Sequence, residues 1–374
     1  MNIIISAAAE RMGGALTIYK QFLSHLPRYR RDNRYYIFVD ESMPRPEIEG
    51  VEYIIVNLRN GFKRTLFDWY TCGHMLKQRG IEPHVAVSLQ NTCMKNLGDI
   101  PQILYFHQSL PLYPNQWNPM KRSERTMAFY KYIYPFFIRF SLPNDVKVVV
   151  QTPFIKRVFC QKFRMPEEKV FVCFPDMEHI DTDEISPYQE WSNDDFHFVY
   201  PAIPAPYKRH DTILQALVIL CKVSPELAKR IKVHFTFTPD RSPDIVRFIQ
   251  EHKLQDMVCF EGHVSHQVLL SMYKASTALL FPSCIETIGL PLLEAASFGL
   301  NVIASDLDYA KEVIAPYEGA QLINNDDFTA WANAIINCAQ KRNSHKPYKQ
   351  STESSWTTFF SLINTQQSYV SIQR

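Results

Sequence analysis

No Cys-x-x-Cys pair occurs among the eight cysteines, at 72, 93, 160, 173, 221, 259, 284 and 338, and no histidine cluster has zinc-ligand spacing. Scattered cysteines are expected to be reduced thiols with structural roles, as in a cytoplasmic protein. The start, MNIIISAAAERMGG, meets Glu10 and Arg11 too soon for the apolar core of a secretory signal. No run approaches the roughly 20 apolar residues of a spanning helix. The nearest, 130–142, is broken by Pro135 and Arg139. A one-signed charge is also lacking: 40 Lys and Arg against 38 Asp and Glu leave a formal charge of +2, which gives no reason for a nucleic-acid partner. Finally, no Gly-x-Gly-x-x-Gly follows a strand with an acid about 20 residues on, which argues against a dinucleotide-dependent dehydrogenase.

What is present is an alternation. A chain of 374 residues exceeds one comfortable core, so two domains are expected. Strand-like apolar runs lie at 3–6, 35–39, 52–56, 84–88, 103–107 and 146–150, and again at 196–201, 232–237, 257–262, 278–283 and 301–305. Helical patterns such as 14–26 and 64–79 separate them. Continuous apolar strands between helices predict parallel sheets covered on both faces. The fold class is therefore α/β, with two doubly wound Rossmann-like domains facing across a cleft. The acidic stretch 175–195 has neither period and reads as the linker. The domains are placed at 1–178 and 190–345. A helix near Trp356–Ile363, within 350–374, is expected either outside the second sheet or back on the first domain.

The densest chemistry is in PSCIETIGLPLLEAASFGL, residues 282–300. An apolar strand ends at Pro282, and a helix begins at Gly289–Pro291, where proline's missing N–H costs nothing. Gly299 is a natural stop. Glu286 then lies in the strand-to-helix loop and Glu294 in the helix's first turns. Peptide N–H groups at the helix start suit a phosphate, and each carboxylate can accept paired sugar hydroxyls. The pattern fits a nucleotide-sugar. Alone, the same two glutamates would read as a solvated loop charge and a helix-dipole charge.

This stretch, continued through NVIASDL, resembles the donor-site signature of the family 4 retaining glycosyltransferases, which have the GT-B fold. It matches at Pro282, Ser283, Glu286, Gly289, Leu290, Pro291, Glu294, Ala295, Gly299, Val302 and Ser305. The resemblance is clearest over 196–315. It implies that Glu294 holds the ribose hydroxyls and Glu286 those of the transferred sugar. Backbone at Thr287, Ile288, Gly289 and Leu290 would meet the phosphates, and Gly262, His263 and Val264 the base. In the loop YPAIPAPYKRH the family usually sets an Arg and a Lys on the diphosphate. Lys208 fits the Lys. Ala205 stands at the usual Arg position, a departure, and Arg209 nearby is the candidate second donor-binding cation.

Cations belong there because cleavage of a sugar–phosphate bond leaves growing negative charge. No Asp-x-Asp falls in a plausible donor loop, so neither metal nor cofactor is expected. In the first half, Gly13 and Gly14 lie between the first strand and a helix, either as a tight turn or as a phosphate or acceptor approach. His107 ends a strand, either as a hydrogen-bonded structural residue or as a group that positions the sugar or acceptor, with Gln108 and Ser109 beside it. Segment 120–140 interleaves Lys121, Arg122, Arg125, Lys131 and Arg139 with aromatics, and 19–34 is also basic. Both patterns suit solvated faces or an anionic membrane surface.

The resemblance implies retaining transfer of a hexosyl unit from a UDP- or GDP-sugar to a glycan or lipid-linked acceptor, in surface polysaccharide biosynthesis at the inner membrane face. A nucleotide-sugar 2-epimerase of the same fold and a non-catalytic nucleotide-sugar-binding protein are the alternatives.

Overall fold

The computed structural model describes residues 1–366 apart from Glu10, Met12, Arg59, Asn60, Glu178, His179, Arg342, Asn343 and 349–353. The chain divides into two units, Met1–Met177 with Thr352–Arg374, and Glu178–Ser351.

The first unit holds seven parallel strands: β1 (Asn2–Ser6), β2 (Arg34–Val39), β3 (Val51–Ile55), β4 (Val85–Ser88), β5 (Gln102–Phe106), β6 (Lys147–Val150) and β7 (Val170–Val172). Their order is β3-β2-β1-β4-β5-β6-β7. The order reverses beside β1, so the carboxyl ends of β1 and β4 flank a switch point, where open α/β sheets bind ligands. Strand side chains alternate between the sheet's faces. Ile3 and Ile5 pack with Phe22, Trp356 and Phe359 on one side. Ile4 packs with Phe67, Cys72 and Leu76 on the other.

The helix Trp356–Asn364 lies on this first unit, against the helix Gly13–Tyr29. Phe22 stacks on Phe360 with centroids 5.5 Å apart, and Trp356 Nε1 donates to Gln21 Oε1 at 3.2 Å.

The second unit holds six parallel strands: β8 (Phe196–Tyr200), β9 (Ile231–Phe235), β10 (Val258–Phe260), β11 (Ala278–Phe281), β12 (Asn301–Ser305) and β13 (Ala320–Ile323), in the order β10-β9-β8-β11-β12-β13. Again the order reverses beside the first strand.

β7 and β13 lie outside the strands expected from sequence. Both are edge strands of three and four residues, each with one fully buried position. β7 opens the apolar run Val170–Phe174, which sequence reasoning missed, and β13 sets the polar Gln321 between Ala320 and Leu322. The acidic stretch forms no strand or helix among its described residues, yet it is packed. Trp191 stacks on His234 at 3.9 Å, Tyr188 N–H donates to Ser271 O at 3.1 Å, and Lys274 Nζ to Thr182 O at 2.7 Å.

Candidate active site

Loops leaving the carboxyl ends of β8, β10 and β11 carry the expected donor residues of the second unit. After β11 the chain turns sharply through Pro282–Gly289. Tyr309 Oη donates to Ser283 O at 2.6 Å and Ser305 Oγ to the same carbonyl at 2.9 Å, which pins the turn to the next strand and helix. Gly289 then caps the helix Leu290–Ser297 in the left-handed region, φ 78°. A Cβ there would meet Leu292, Phe281 and Tyr309 at 3.2–3.4 Å, so both conformation and space select glycine. Ile288 is buried, so only its backbone is available to a ligand. Gly299 ends the helix at φ 70°, where a Cβ would lie 2.2 Å from His345 O.

The β8 loop runs through Ala205 and a short turn, Pro206–Lys208, before the helix His210–Val223. Cys284 N–H donates to Tyr207 O at 2.8 Å, so this loop is sewn to the β11 loop. Tyr200 Oη donates to Lys208 O at 2.6 Å. Lys208 Nζ and Glu286 Oε1 form an ion pair with both side chains about 15% exposed. The structure thus brings together the expected cation and the expected sugar-binding carboxylate.

Arg209, at φ 52°, has another set of partners. Its Nη2 donates to Asp326 Oδ1 at 2.8 Å and its Nε to Asp211 at 3.1 Å. That guanidinium closes the loop onto the helix that follows and onto the Asn324–Asp327 turn. Next to it, His210 is buried among Tyr200, Phe235 and Phe237, and burial, helped by Lys208, holds its imidazole down at about 3. It is neutral at physiological pH. Burial pushes the Cys284 thiol up to about 11, which keeps it protonated.

Glu294 is held by two residues that sequence reasoning missed. Tyr273 Oη donates to Oε2 at 3.2 Å, and His266 Nε2 lies 3.3 Å from Oε1. Both come from the helix His266–Ala275, which follows the β10 loop of Gly262, His263 and Val264. Gly262 has φ 67°. The signal was in HVSHQVLLSMYKA: Tyr273 follows His266 by seven residues, two helical turns, which puts them on one face.

In the first unit, Gly13 and Gly14 open the helix after β1, both exposed, with space where a Cβ would stand. His107 follows β5, and its backbone N–H donates to Asn91 Oδ1 at 2.7 Å. Its Nε2 lies 3.0 Å from Leu89 O and 3.3 Å from Asn91 Nδ2. Gln90, fully buried, accepts from Ala9 N–H at 2.8 Å and bonds Ser6. The carboxyl ends of β1, β4 and β5 therefore share one polar network. Gln90 and Asn91 were legible only as polar residues ending an apolar strand. Gln108 Oε1 turns inward to Leu110 N–H at 3.3 Å.

Among the described residues, no three His, Cys, Asp or Glu side chains are grouped so as to hold a metal ion. All eight cysteines are free.

The two units have the Rossmann-like, parallel-sheet layout of the GT-B glycosyltransferases. Residues 181–354 match the family described as "Glycosyl transferases group 1". The O-antigen chain mannosyltransferase RfbU of Salmonella typhimurium is 34% identical over 101 residues, 27% of this chain and 28% of that protein. The chain thus spans less than a third of that curated relative. Among solved structures, sucrose-phosphate synthase of Thermosynechococcus elongatus superposes with TM-score 0.64 at 15% identity, over 91% of this chain and 90% of that one. HepE of Anabaena in complex with UDP and glucose gives 0.63 at 14%, again over 91% and 90%. Both likenesses concern the fold.

Proposed function

We propose that the chain is a retaining glycosyltransferase that moves a hexosyl unit from a UDP- or GDP-sugar to a glycan or lipid-linked acceptor of surface polysaccharide biosynthesis, on the cytoplasmic side of the membrane. The observation that carries this reading is the junction of Lys208 and Glu286, 78 residues apart in sequence, beside a glycine-capped helix that bears a doubly braced Glu294. The family match of residues 181–354, the naming of RfbU for mannose transfer to an O-antigen chain, and the UDP and glucose held by HepE support it.

In this mechanism Glu294 accepts the ribose hydroxyls, and Gly262–Val264 border the base. The backbone from Thr287 to Leu290 and Lys208 face the diphosphate. Glu286 accepts hydroxyls of the transferred sugar. The bond from the anomeric carbon to the phosphate oxygen breaks, and the acceptor oxygen bonds to that carbon from the same face. The acceptor's proton passes to the leaving diphosphate. Lys208 stabilises the charge that grows there, a task for which no metal or cofactor is needed. The backbone at Gly13 and Gly14 approaches a donor phosphate or the acceptor, and His107 positions the transferred sugar or the acceptor hydroxyl.

Incubation with a panel of UDP- and GDP-sugars, with and without lipid-linked acceptors, tests the reading. Acceptor-dependent release of nucleoside diphosphate is expected. Epimer formed without acceptor would favour a 2-epimerase, and binding without turnover a non-catalytic binding protein.

A further inference from the structure

From Arg125 to Ser141 three helical segments follow one another without a break, Arg125–Ala128, Phe129–Ile133 and Tyr134–Ser141. Their inner face buries Met127, Ala128, Tyr134 and Ile138. Their outer face is not polar. Phe129, Ile133, Phe136 and Phe140 recur at spacings of four, three and four, one helical stripe, and are 42%, 50%, 74% and 60% exposed. Leu66 and Tyr70, on the neighbouring helical stretch, are exposed as well, and Trp69 joins the two stretches through Phe137 and Phe140 at 5.9 and 5.3 Å. Among the described residues, the other exposed large apolar side chains are Met120 and Tyr132 of the same segment and the scattered Ile55, Ile203 and Val223.

The charge around this stripe has one sign. Residues 120–142 hold five Lys and Arg against a single acid, Glu124, and that acid is bound to Lys121 Nζ at 2.8 Å and to Asn118 N–H at 2.9 Å. Arg122 and Arg125 stand exposed at the stripe's beginning, and Arg139 within its end. Lys95 lies 3.2 Å from the centroid of the Phe140 ring, on the rim of a hollow of about 690 Å³ that Trp69, Phe136 and Phe137 help to line.

We propose that this face of the first unit docks on an anionic phospholipid bilayer, with Phe136 and Phe140 entering the headgroup–acyl boundary and Arg122, Arg125, Lys95 and Arg139 meeting lipid phosphates. Apolar side chains ringed by cations, with almost no acid, suit such a surface and little else. A second copy of the same face would set cation against cation, and an acidic protein would leave the aromatic stripe without an apolar match. The proposal gives the membrane contact of the proposed function its surface, and for its purpose rests on that reading; the docking itself requires no sugar transfer.

The test is co-sedimentation of the full chain with vesicles of phosphatidylcholine mixed with phosphatidylglycerol, and with phosphatidylcholine alone, in the absence of donor. Binding to the anionic vesicles only is expected, weakening as salt is raised. Arg122→Gln with Arg125→Gln should lower it by about 25-fold, at about fivefold for each cation near the surface. Phe136→Ser with Phe140→Ser should lower it by about tenfold or more, while Ile203→Ser leaves it unchanged. Transfer to a water-soluble acceptor, followed in parallel, should persist in all three, so loss of docking and loss of catalysis are read separately. Equal binding to both vesicles, binding to neither, or a self-associated dimer that the phenylalanine variants dissolve would overturn the proposal.

Discussion

Lys208 Nζ is paired with Glu286 Oε1, so that the cation expected at the diphosphate and the carboxylate expected at the sugar neutralise each other across the β8 and β11 loops. A pair that acts as a unit should fail as a unit. Lys208→Ala is expected to lower turnover by about 10²–10³, the loss typical of one preorganised donor at developing charge. Glu286→Gln should also lower it, and the double variant should fall little further than the worse single one. Steady-state rates for the three variants check this. Effects that multiply would mean that the two side chains work independently.

Glu294 supplies a second test, because its carboxylate is braced by Tyr273 and His266. Hydrogen bonds to a charged group contribute about 1.5–3 kcal/mol. Glu294→Ala should weaken nucleoside diphosphate binding by about ten- to 150-fold. Tyr273→Phe should weaken it by less, through a carboxylate no longer aimed, and His266→Ala least, since that contact is the more exposed. Glu286→Ala should leave this binding nearly intact while turnover falls, because the product nucleotide lacks the sugar. Isothermal titration separates these cases. Equal losses for the two glutamates would end the division of roles.

The reach of the sequence follows the same physics. The strands of both sheet centres were legible because burial on two faces makes them continuously apolar; of the four edge strands, β3 and β10 were read, whereas β7, within the apolar run Val170–Phe174, and β13, interrupted by Gln321, were not. The Glu286–Glu294 loop was legible because helix-start chemistry is local. Spacing can place His266 and Tyr273 on one helix face, and Gln90 and Asn91 at a strand's end, but the partners they meet lie on other elements, so their roles emerged only in three dimensions. Arg209 had a local reading, a loop cation beside the expected lysine, but its Asp326 partner is 117 residues away.

Metal independence and stereochemistry are the third prediction. With the diphosphate set against Lys208 and the helix after Gly289 as proposed, transfer should survive EDTA. The product of an α-configured donor should be α-linked, as read by proton NMR of the new linkage. Activity restored only by magnesium or manganese, or a β-linked product, would contradict the mechanism.

Gly289 is the fourth. Its φ of 78° costs an L-residue about 1–2 kcal/mol, and Leu292, Phe281 and Tyr309, at 3.2–3.4 Å from a Cβ there, would have to shift to admit a methyl group. Gly289→Ala should therefore destabilise the chain by about that much and displace the backbone proposed to face the phosphates. Urea unfolding gives the first effect and nucleoside diphosphate titration the second. An alanine variant with unchanged stability and affinity would show the turn to be tolerant.

The fifth prediction uses two buried titrating groups whose pH dependences run in opposite directions. Asp68 of the first unit is 2% exposed, and burial pushes its carboxyl from 3.8 up to about 6 despite Arg64 and the hydrogen bond from Thr92. Between these values the folded chain holds a proton that the unfolded chain has released. The stability so contributed is complete below about 4 and is lost as the pH rises through about 6. Two pKa units at about 1.4 kcal/mol each make this roughly 3 kcal/mol. His210 of the second unit behaves in reverse. Burial, then Lys208, holds its imidazole at about 3 rather than 6.5, so the unfolded chain binds a proton that the folded chain refuses. Its contribution is present above about 6.5 and is lost as the pH falls toward 3. Asp68→Asn should thus gain stability relative to the parent as the pH rises from 4 to 7, and His210→Leu should gain as it falls over the same range. Urea unfolding of the parent and both variants at several pH values reads the two slopes. Differences that stay flat with pH would show that neither group titrates out of step with the unfolded chain.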